Sequence, residues 1–329
     1  MERGKVLINK ILLYNLIFNM RVLVFASFVL LVTGVAHAKK SKTTFLVHTT
    51  KKPSSALKQL QMISRGGAGP LDPALVAKAG TVAALSHGFL SSQAPETSIK
   101  LYKMKKSEDE TSSAVAEYWA RVFGTGCLAT GVAGFCLFFK NTSTNTAVGW
   151  MNVVWIAEHL RGLLSQEDKK FSTNPAGRTI WLVLGTILAH ACFTNADYVD
   201  TAMKTIGGLT SLACSYMVID PKGAAAMYEF KEKDITPETL AFVRCAGFHV
   251  LGNGIFTVTL GLGVESTKAF GLAFIAAVVQ IFSFLFVTNE CDTCGIDVPS
   301  MIFWLLFDSA VAATLALPAA KALPVSVKK

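Results

Sequence analysis

The sequence predicts an all-α membrane protein with eight transmembrane helices, arranged as two parallel four-helix repeats. Three observations lead to this fold class. Of the 329 residues, 52% are hydrophobic and 16% are charged, whereas a soluble domain carries about 25% charged residues. Apolar segments of helical length are separated by prolines, and a residue pattern of the first half recurs in the second. Lipid therefore surrounds much of this chain.

The net charge of +9 comes from the N-terminal part of the chain. Residues 1–65 hold eleven Lys and Arg against one acid, Glu2, while residues 66–329 hold 20 basic and 21 acidic residues. A nearly neutral body offers no basic face to a phosphate backbone. We therefore predict membrane lipid as a partner and exclude nucleic acid.

The N-terminus has the features of a targeting sequence. Residues 20–38 contain a basic start, a short apolar run and the small-x-small site Ala36-His37-Ala38, which is typical of a cleaved signal peptide over residues 1–38. Residues 39–71 contain no Asp or Glu and are rich in Lys, Ser and Thr, as in transit peptides. Together they resemble the bipartite presequence of secondary plastids, although Lys39 stands where such presequences usually have Phe. A plastid membrane and the endomembrane or secretory pathway both remain open.

Prolines delimit the helices of the body, because proline lacks the backbone N–H and clashes with the preceding turn. Pro73, Pro237 and Pro299 are placed to begin helices, and Pro221 and Pro318 to end them. Within lipid each backbone polar group needs a partner, which favours helix. The predicted spans are 74–93, 114–139, 146–163, 178–195, 200–220, 238–262, 267–288 and 299–317.

The two halves of the body repeat one another, over residues 74–196 and 198–319, with a tail at 320–329. Lys78 and Tyr102 recur 126 residues later as Lys204 and Tyr228. Further matches keep the chain order: Arg121, Gly124 and Gly131 with Arg244, Gly247 and Gly254; Ala147, Gly149 and Glu158 with Ala269, Gly271 and Gln280; Trp181 with Trp304. Since each repeat has an even number of helices, the two share one orientation, unlike inverted repeats.

Loop charge predicts the orientation in the membrane. We call the side with the first residue of the first helix side A. Side A carries seven Lys and Arg after the presequence and side B thirteen, so the positive-inside rule places side B in the cytosol or stroma. A cleaved signal peptide places the mature N-terminus on the opposite side, which agrees.

The repeated pattern resembles the DoxX-like four-helix membrane proteins over about 245 residues. In each repeat a first helix ends near Tyr, and a polar loop leads to a second helix that opens with Arg121 or Arg244 and spaced glycines. This resemblance implies a tandem duplication of a small membrane bundle, of a kind sometimes linked to quinone or thiol redox chemistry. It implies no particular activity.

Depth in the membrane predicts a polar cluster at side B of the first repeat. His87, Arg121, Glu158 and His159 all lie near the side-B ends of their helices, and ionisable groups in membrane helices are costly. One hypothesis is a pocket for an anionic or quinone-like headgroup, with Arg121 as donor and Glu158 or His159 handling a proton. The other is structural, with Arg121 paired to Glu158. In the second repeat Arg244 and Gln280 occupy the positions equivalent to Arg121 and Glu158. Ala213 occupies the position equivalent to His87.

His249 and Asp308 form a second candidate site near the middle of the membrane. Both lie about nine residues inside helices that begin on side B. A carboxyl group there must be protonated, paired or next to water. A proton or cation relay and a single interhelical hydrogen bond are both compatible with this pattern.

The sequence has one CxxC motif, Cys291-Asp-Thr-Cys294, in the loop before the last helix. Side B is predicted to be reducing, which disfavours a structural disulfide. A thiol redox pair and incidental loop cysteines remain open. One CxxC without a second pair is a weak zinc signal, so we predict no metal site.

Three functions follow from these residues. A non-catalytic scaffold or accessory subunit of a membrane protein complex needs the fewest assumptions. The alternatives are a small-molecule or proton-coupled carrier that uses His249 and Asp308, and a redox protein that uses the cysteines or a quinone-like molecule. Nucleotide-binding, zinc-protease and serine-nucleophile motifs do not occur. The sequence thus favours a protein that is not an enzyme, and it identifies no cofactor.

Overall fold

The computed structural model describes residues 71–104, 108–171 and 173–317. The predicted signal peptide, the transit-like segment up to residue 70 and the tail lie outside these residues. By its internal contacts the chain divides between Leu75 and Val76. The packing described below is that of residues 76–317.

The described chain is helical and contains no strand. Eight long helices occupy the eight predicted positions. Pro73, Pro237 and Pro299 lie in the first turn of three of them, as predicted. The helices are α1 (Pro73–Gln93), α3 (Glu110–Phe138), α4 (Thr144–Leu164), α6 (Pro175–Thr194), α7 (Val199–Ile219), α9 (Pro237–Gly261), α10 (Ser266–Phe286) and α12 (Val298–Ala316).

Four short helices and one 3₁₀ turn occupy the longer connections, and the sequence analysis did not predict them. The short helices are α2 (Pro95–Leu101), α5 (Glu167–Phe171), α8 (Pro221–Met227) and α11 (Glu290–Cys294), and the 3₁₀ turn is Glu232–Asp234. All of them join long helices at the end of the bundle that corresponds to side B. The three connections at the opposite end are only four or five residues long.

Six of the long helices are long and apolar enough to cross a membrane, namely α3, α6, α7, α9, α10 and α12. The membrane character of the chain predicted from composition is therefore supported. The helices α1 and α4 are not among the six. Helix α1 is rich in Gly, Ala and Ser, and α4 carries Glu158, His159 and Arg161 near its end.

Glycines bring the first two long helices of each half into close contact. A Cβ atom on Gly131 of α3 would lie 2.6 Å from the backbone nitrogen of Leu85 in α1. A Cβ atom on Gly254 of α9 would lie 3.0 Å from the backbone nitrogen of Ser211 in α7. Small residues at such crossings let helix backbones pack directly against each other within a membrane bundle.

Gly131→Ala is expected to destabilise the protein by about 1–3 kcal/mol, because the added methyl group must push α1 away from α3. Gly208→Ala is the matched control, since a Cβ atom there meets nothing within 4 Å. That change should be neutral or stabilising by up to about 1 kcal/mol, since Ala is the better helix former. Thermal unfolding in detergent measures both, and equal melting temperatures for the two variants would contradict the close contact.

Candidate functional site: a polar cavity inside the bundle

An interior cavity of about 80 Å³ lies among α1, α3, α9, α10 and α12. It extends from the side-B end of the bundle, at Met104 and Met301, toward the middle, at Asp308. At 1.5 Å per residue, Asp308 is about 15 Å from the first residue of α12. The polar side chains that line the cavity are His87, Tyr102, Cys127, Thr130, Cys245, His249, Gln280 and Asp308.

Three aromatic neighbours contact the His87 ring in the cavity lining. Its Nε2 atom is 2.5 Å from the hydroxyl oxygen of Tyr102. The ring stacks on Trp304, with centroids 5.4 Å apart, and meets the Phe123 ring edge-on at 5.1 Å. His249 also meets Phe123 edge-on, at 4.8 Å. The two imidazoles therefore approach the same phenyl ring from different helices.

The other polar groups of the lining include one buried oxygen that has no hydrogen-bond donor among the described residues. The Cys127 sulfur is 3.3 Å from Nδ1 of His249. The side-chain amide nitrogen of Gln280 donates to the Cys245 sulfur at 3.1 Å. The Gln280 oxygen is buried and accepts no hydrogen bond from the part of the chain that the structure describes. Asp308 is 7% exposed and lines the cavity.

A separate cluster of charges lies at side B of the first half, and we call its six members the side-B charge cluster: Arg121, Glu158, Arg161, Glu167, Asp168 and Arg178. Glu167 is its centre. The carboxylate of Glu167 accepts from Arg121 at 2.9 Å, from Arg161 at 2.7 Å and from Arg178 at 3.3 Å. Three positive and three negative side chains balance within the cluster.

The predicted pair of Arg121 and Glu158 is wrong, because each has another partner. Arg121 binds Glu167, and Glu158 binds Arg161 through two bonds of 2.8 and 2.6 Å. Arg161 follows Glu158 by three residues on the same helical face, which brings the two side chains within reach of each other. Sequence reasoning missed Glu167 because it was assigned to a loop, although three arginines near side B indicated that an acid was needed.

Arg178 reaches the cluster through space left by a glycine. Arg178 is 6% exposed, and its guanidinium group occupies the position that a side chain on Gly162 would fill. Arg178 also contacts Asp168 at 3.5 Å and the Tyr118 hydroxyl at 3.4 Å. Glycine at position 162 therefore allows a buried cation near the start of α6.

The structure separates the two histidines that were predicted to lie near Arg121, and only His159 is within electrostatic reach of the side-B charge cluster, through Arg178. His87 belongs to the cavity described above, and the His159 ring stacks on Trp155, with centroids 5.9 Å apart. Neither histidine has a hydrogen bond to the side-B charge cluster within the described residues. The prediction used depth alone, and depth does not determine which face of the bundle a side chain occupies.

The candidate residues of the second half fall into two places. Arg244 pairs with Glu290 of α11 and donates from Nε to the Val218 carbonyl at 3.3 Å. His249 lines the cavity, as Asp308 does, and no hydrogen bond between these two is formed. Their shared cavity agrees with the predicted matching depth.

The CxxC cysteines lie in α11 rather than in an open loop. Cys291 is 7% exposed and Cys294 is fully buried, and none of the seven cysteines forms a disulfide. Burial, followed by the charge of Asp292, raises the pKa of the Cys291 thiol. A buried thiol with a raised pKa is a poor nucleophile, which weakens the redox hypothesis for this motif. Among the described residues, no three His, Cys, Asp or Glu side chains are arranged to hold a metal ion.

Comparison with known proteins finds no matching family model, no similar curated protein and no similar solved structure.

Proposed function

We propose that all eight long helices span the membrane. Helices α1 and α4 have 21 residues each, which corresponds to about 32 Å, close to the thickness of the hydrocarbon core. Helix α4 also returns the chain from the side-A end of α3 to the side-B start of α6, and it packs against both. Its charged residues lie in the last two turns, at the side-B surface.

We further propose that the eight helices are two parallel repeats, because equivalent residues make equivalent contacts. The approach of Gly131 to Leu85 corresponds to that of Gly254 to Ser211, with each residue of the second pair 123 or 126 positions later. Helices α5 and α11 likewise begin 123 residues apart, at Glu167 and Glu290.

The polar contacts follow the same spacing. The ion pair of Arg121 with Glu167 corresponds to that of Arg244 with Glu290. Thr130 donates to the side-chain oxygen of Asn253 at 2.6 Å, and these two residues are themselves equivalent, 123 positions apart. Contact between equivalent residues is expected where an internal two-fold axis passes between α3 and α9. The descent of each repeat from a DoxX-like module, and targeting to a plastid or secretory membrane, stay proposals based on sequence.

For the activity, we propose a carrier that binds a small polar solute in the interior cavity. The observation that carries this proposal is the cavity lining, in which His87, Tyr102, His249 and Asp308 share one space between membrane helices. Ionisable groups are costly there and typically mark a substrate or proton pathway. A purely structural scaffold has no need for such a group of residues around an open space.

The size of the cavity disfavours the quinone-linked alternative. Drug-sized ligands occupy pockets of roughly 300–1,000 Å³, and even a benzene molecule occupies an engineered cavity of about 150 Å³. The cavity measures about 80 Å³. This volume suits several waters or one very small solute.

Accessibility of the cavity cysteines tests the carrier proposal. The purified protein is treated briefly with methyl methanethiosulfonate, and mass spectrometry measures the modified fraction of each cysteine. Cys245 lines the cavity, whereas Cys192 is 1% exposed and lines no part of it. We expect Cys245 to react at least about tenfold faster than Cys192, because thiol modification depends on access.

Cys192 controls for burial, since both thiols are buried inside the bundle but only Cys245 lines the cavity. Equal and slow modification of Cys245 and Cys192 would contradict a cavity reached from the surface. That result would leave the non-catalytic scaffold as the function that the structure supports.

A further inference from the structure

The charge of the cavity lining indicates which solutes fit. Asp308 is the one acidic side chain in the lining, and no Lys or Arg lines it within the described residues. The arginines of the side-B charge cluster, and Arg244 next to Cys245, are already paired with acids of their own. An ionised carboxylate at Asp308 therefore has no fixed counter-charge, so a cation in the cavity would supply it. The same charge opposes an anion.

The hydrogen-bonding groups of the lining indicate a solute that donates. The unpartnered side-chain oxygen of Gln280 can only accept hydrogen bonds. An ionised Asp308 carboxylate can likewise only accept them. The single hydroxyl hydrogen of Thr130 is already engaged by the side-chain oxygen of Asn253 and the Gly126 carbonyl. An N–H or O–H donor is thus the partner that these oxygens lack.

The apolar part of the lining includes five aromatic rings. Phe123, Phe242, Phe274, Phe284 and Trp304 contribute to the walls, and ring faces attract cations within about 6 Å of the centroid. A hard metal cation would need about six oxygen ligands, and the lining supplies few. A protonated amine, which combines N–H donors with a positive charge, matches both the rings and the acceptors.

We propose that the cavity binds a small protonated amine, of which ammonium and methylammonium are the simplest members. Asp308 provides the counter-charge, the Gln280 oxygen accepts one N–H, and the aromatic rings surround the remainder of the cation. This inference rests on the proposed carrier function and names the class of its solute. A cavity of about 80 Å³ limits the amine to very few non-hydrogen atoms.

Protection of Cys245 from methyl methanethiosulfonate tests this proposal. The rate of modification is measured in methylammonium chloride, in sodium chloride of equal ionic strength and in sodium acetate, whose anion is of similar size. Saturating methylammonium is expected to slow the reaction at Cys245 at least about tenfold, which corresponds to a difference of 1.4 kcal/mol. Sodium chloride and acetate should have no effect. The rate at Cys192 controls for any change in the reagent itself.

The same measurement on Asp308→Asn tests the counter-charge, and protection should be lost in that variant. Undiminished protection in Asp308→Asn would overturn the role of Asp308. Fast modification of Cys245 that methylammonium does not slow, or that acetate slows instead, would overturn the amine proposal and leave the carrier proposal standing. Modification of Cys245 no faster than that of Cys192 would overturn both.

Discussion

Replacing Glu167 with Gln is expected to lower the melting temperature of the purified protein by roughly 10 °C, since breaking a buried ion pair costs about 3–5 kcal/mol. The Glu167 carboxylate is the shared acceptor of Arg121, Arg161 and Arg178. Gln keeps the size of the side chain but removes its charge, and its amide group turns a donor toward the arginines. The buried guanidinium of Arg178 then lacks half of its compensating charge.

Glu232→Gln is the matched control for this prediction. Glu232 pairs with Lys222 at 2.7 Å, but the two side chains are 80% and 62% exposed. An exposed pair contributes about 0–1 kcal/mol, so this variant should melt within about 2 °C of the wild type. A loss in Glu167→Gln no larger than that in Glu232→Gln would show that the side-B charge cluster does not stabilise the bundle.

The stabilisation of the folded protein by the Glu167 carboxylate should also depend on pH. Burial alone raises the pKa of Glu167, but the hydrogen bonds and charge of Arg161, followed by the charges of Arg178 and Arg121, hold it below its ordinary value of 4.5. A lowered pKa in the folded state means that the stabilisation is complete above pH 4.5 and is lost as the pH falls through the folded pKa. The difference in stability between wild type and Glu167→Gln should therefore be constant near neutral pH and shrink in acid.

The positions of the long helices were predictable because their ends depend on local chemistry. Proline at 73, 237 and 299 can begin a helix but cannot continue one, and the apolar runs that follow have the length of a span. The start of α3 was predicted four residues late. Asp109 caps that helix by accepting from the Ser112 backbone nitrogen at 2.8 Å, a signal that an apolar pattern does not include.

For the residues of the candidate site, the sequence predicted only their depth along the helices. The cost of an ionised carboxyl group in lipid was enough to place Asp308 in the interior, and the spacing from the helix starts was enough to match it with His249. The faces that helices turn toward one another depend on packing between distant segments. His87 of the first helix therefore lies beside Trp304 of the last, whereas equal depth had grouped it with Arg121.

The short side-B helices were missed for a related reason. Their sequences, such as Glu167–Phe171 and Glu290–Cys294, are too short for a periodic pattern to distinguish helix from loop. The ion pairs made by Glu167 and Glu290 hold these segments against α3 and α9. The repeated spacing of 123 residues between the two acids could have indicated this role, because Arg121 and Arg244 have the same spacing.

The substitution Asp308→Asn separates a structural role of this carboxyl group from a functional one. Of its two expected effects, on transport and on stability, the effect on transport is the larger. In proteoliposomes with an imposed pH gradient, Asp308→Asn is expected to reduce the uptake of labelled methylammonium at least about tenfold, a loss of 1.4 kcal/mol or more in solute stabilisation. Asp308→Glu should retain part of the activity, since it keeps the carboxyl group. Asp200→Asn is the control, because Asp200 is exposed in the first turn of α7 and lies outside the cavity.

Asn keeps the shape of the Asp308 side chain and can still donate and accept hydrogen bonds, so the melting temperature of Asp308→Asn should remain within about 4 °C of the wild type, or roughly 1 kcal/mol. The polar groups that line the cavity with Asp308 are His87 of α1, Tyr102 after α2, Cys127 and Thr130 of α3, Cys245 and His249 of α9 and Gln280 of α10. None is a fixed cation, so the charge at position 308 is the one that a cationic solute or a proton can neutralise. Unchanged uptake in Asp308→Asn would reduce Asp308 to a hydrogen-bonding residue. A large fall in melting temperature with proportionate loss of uptake would assign it to packing, and either result would remove the main reason for regarding this protein as a carrier.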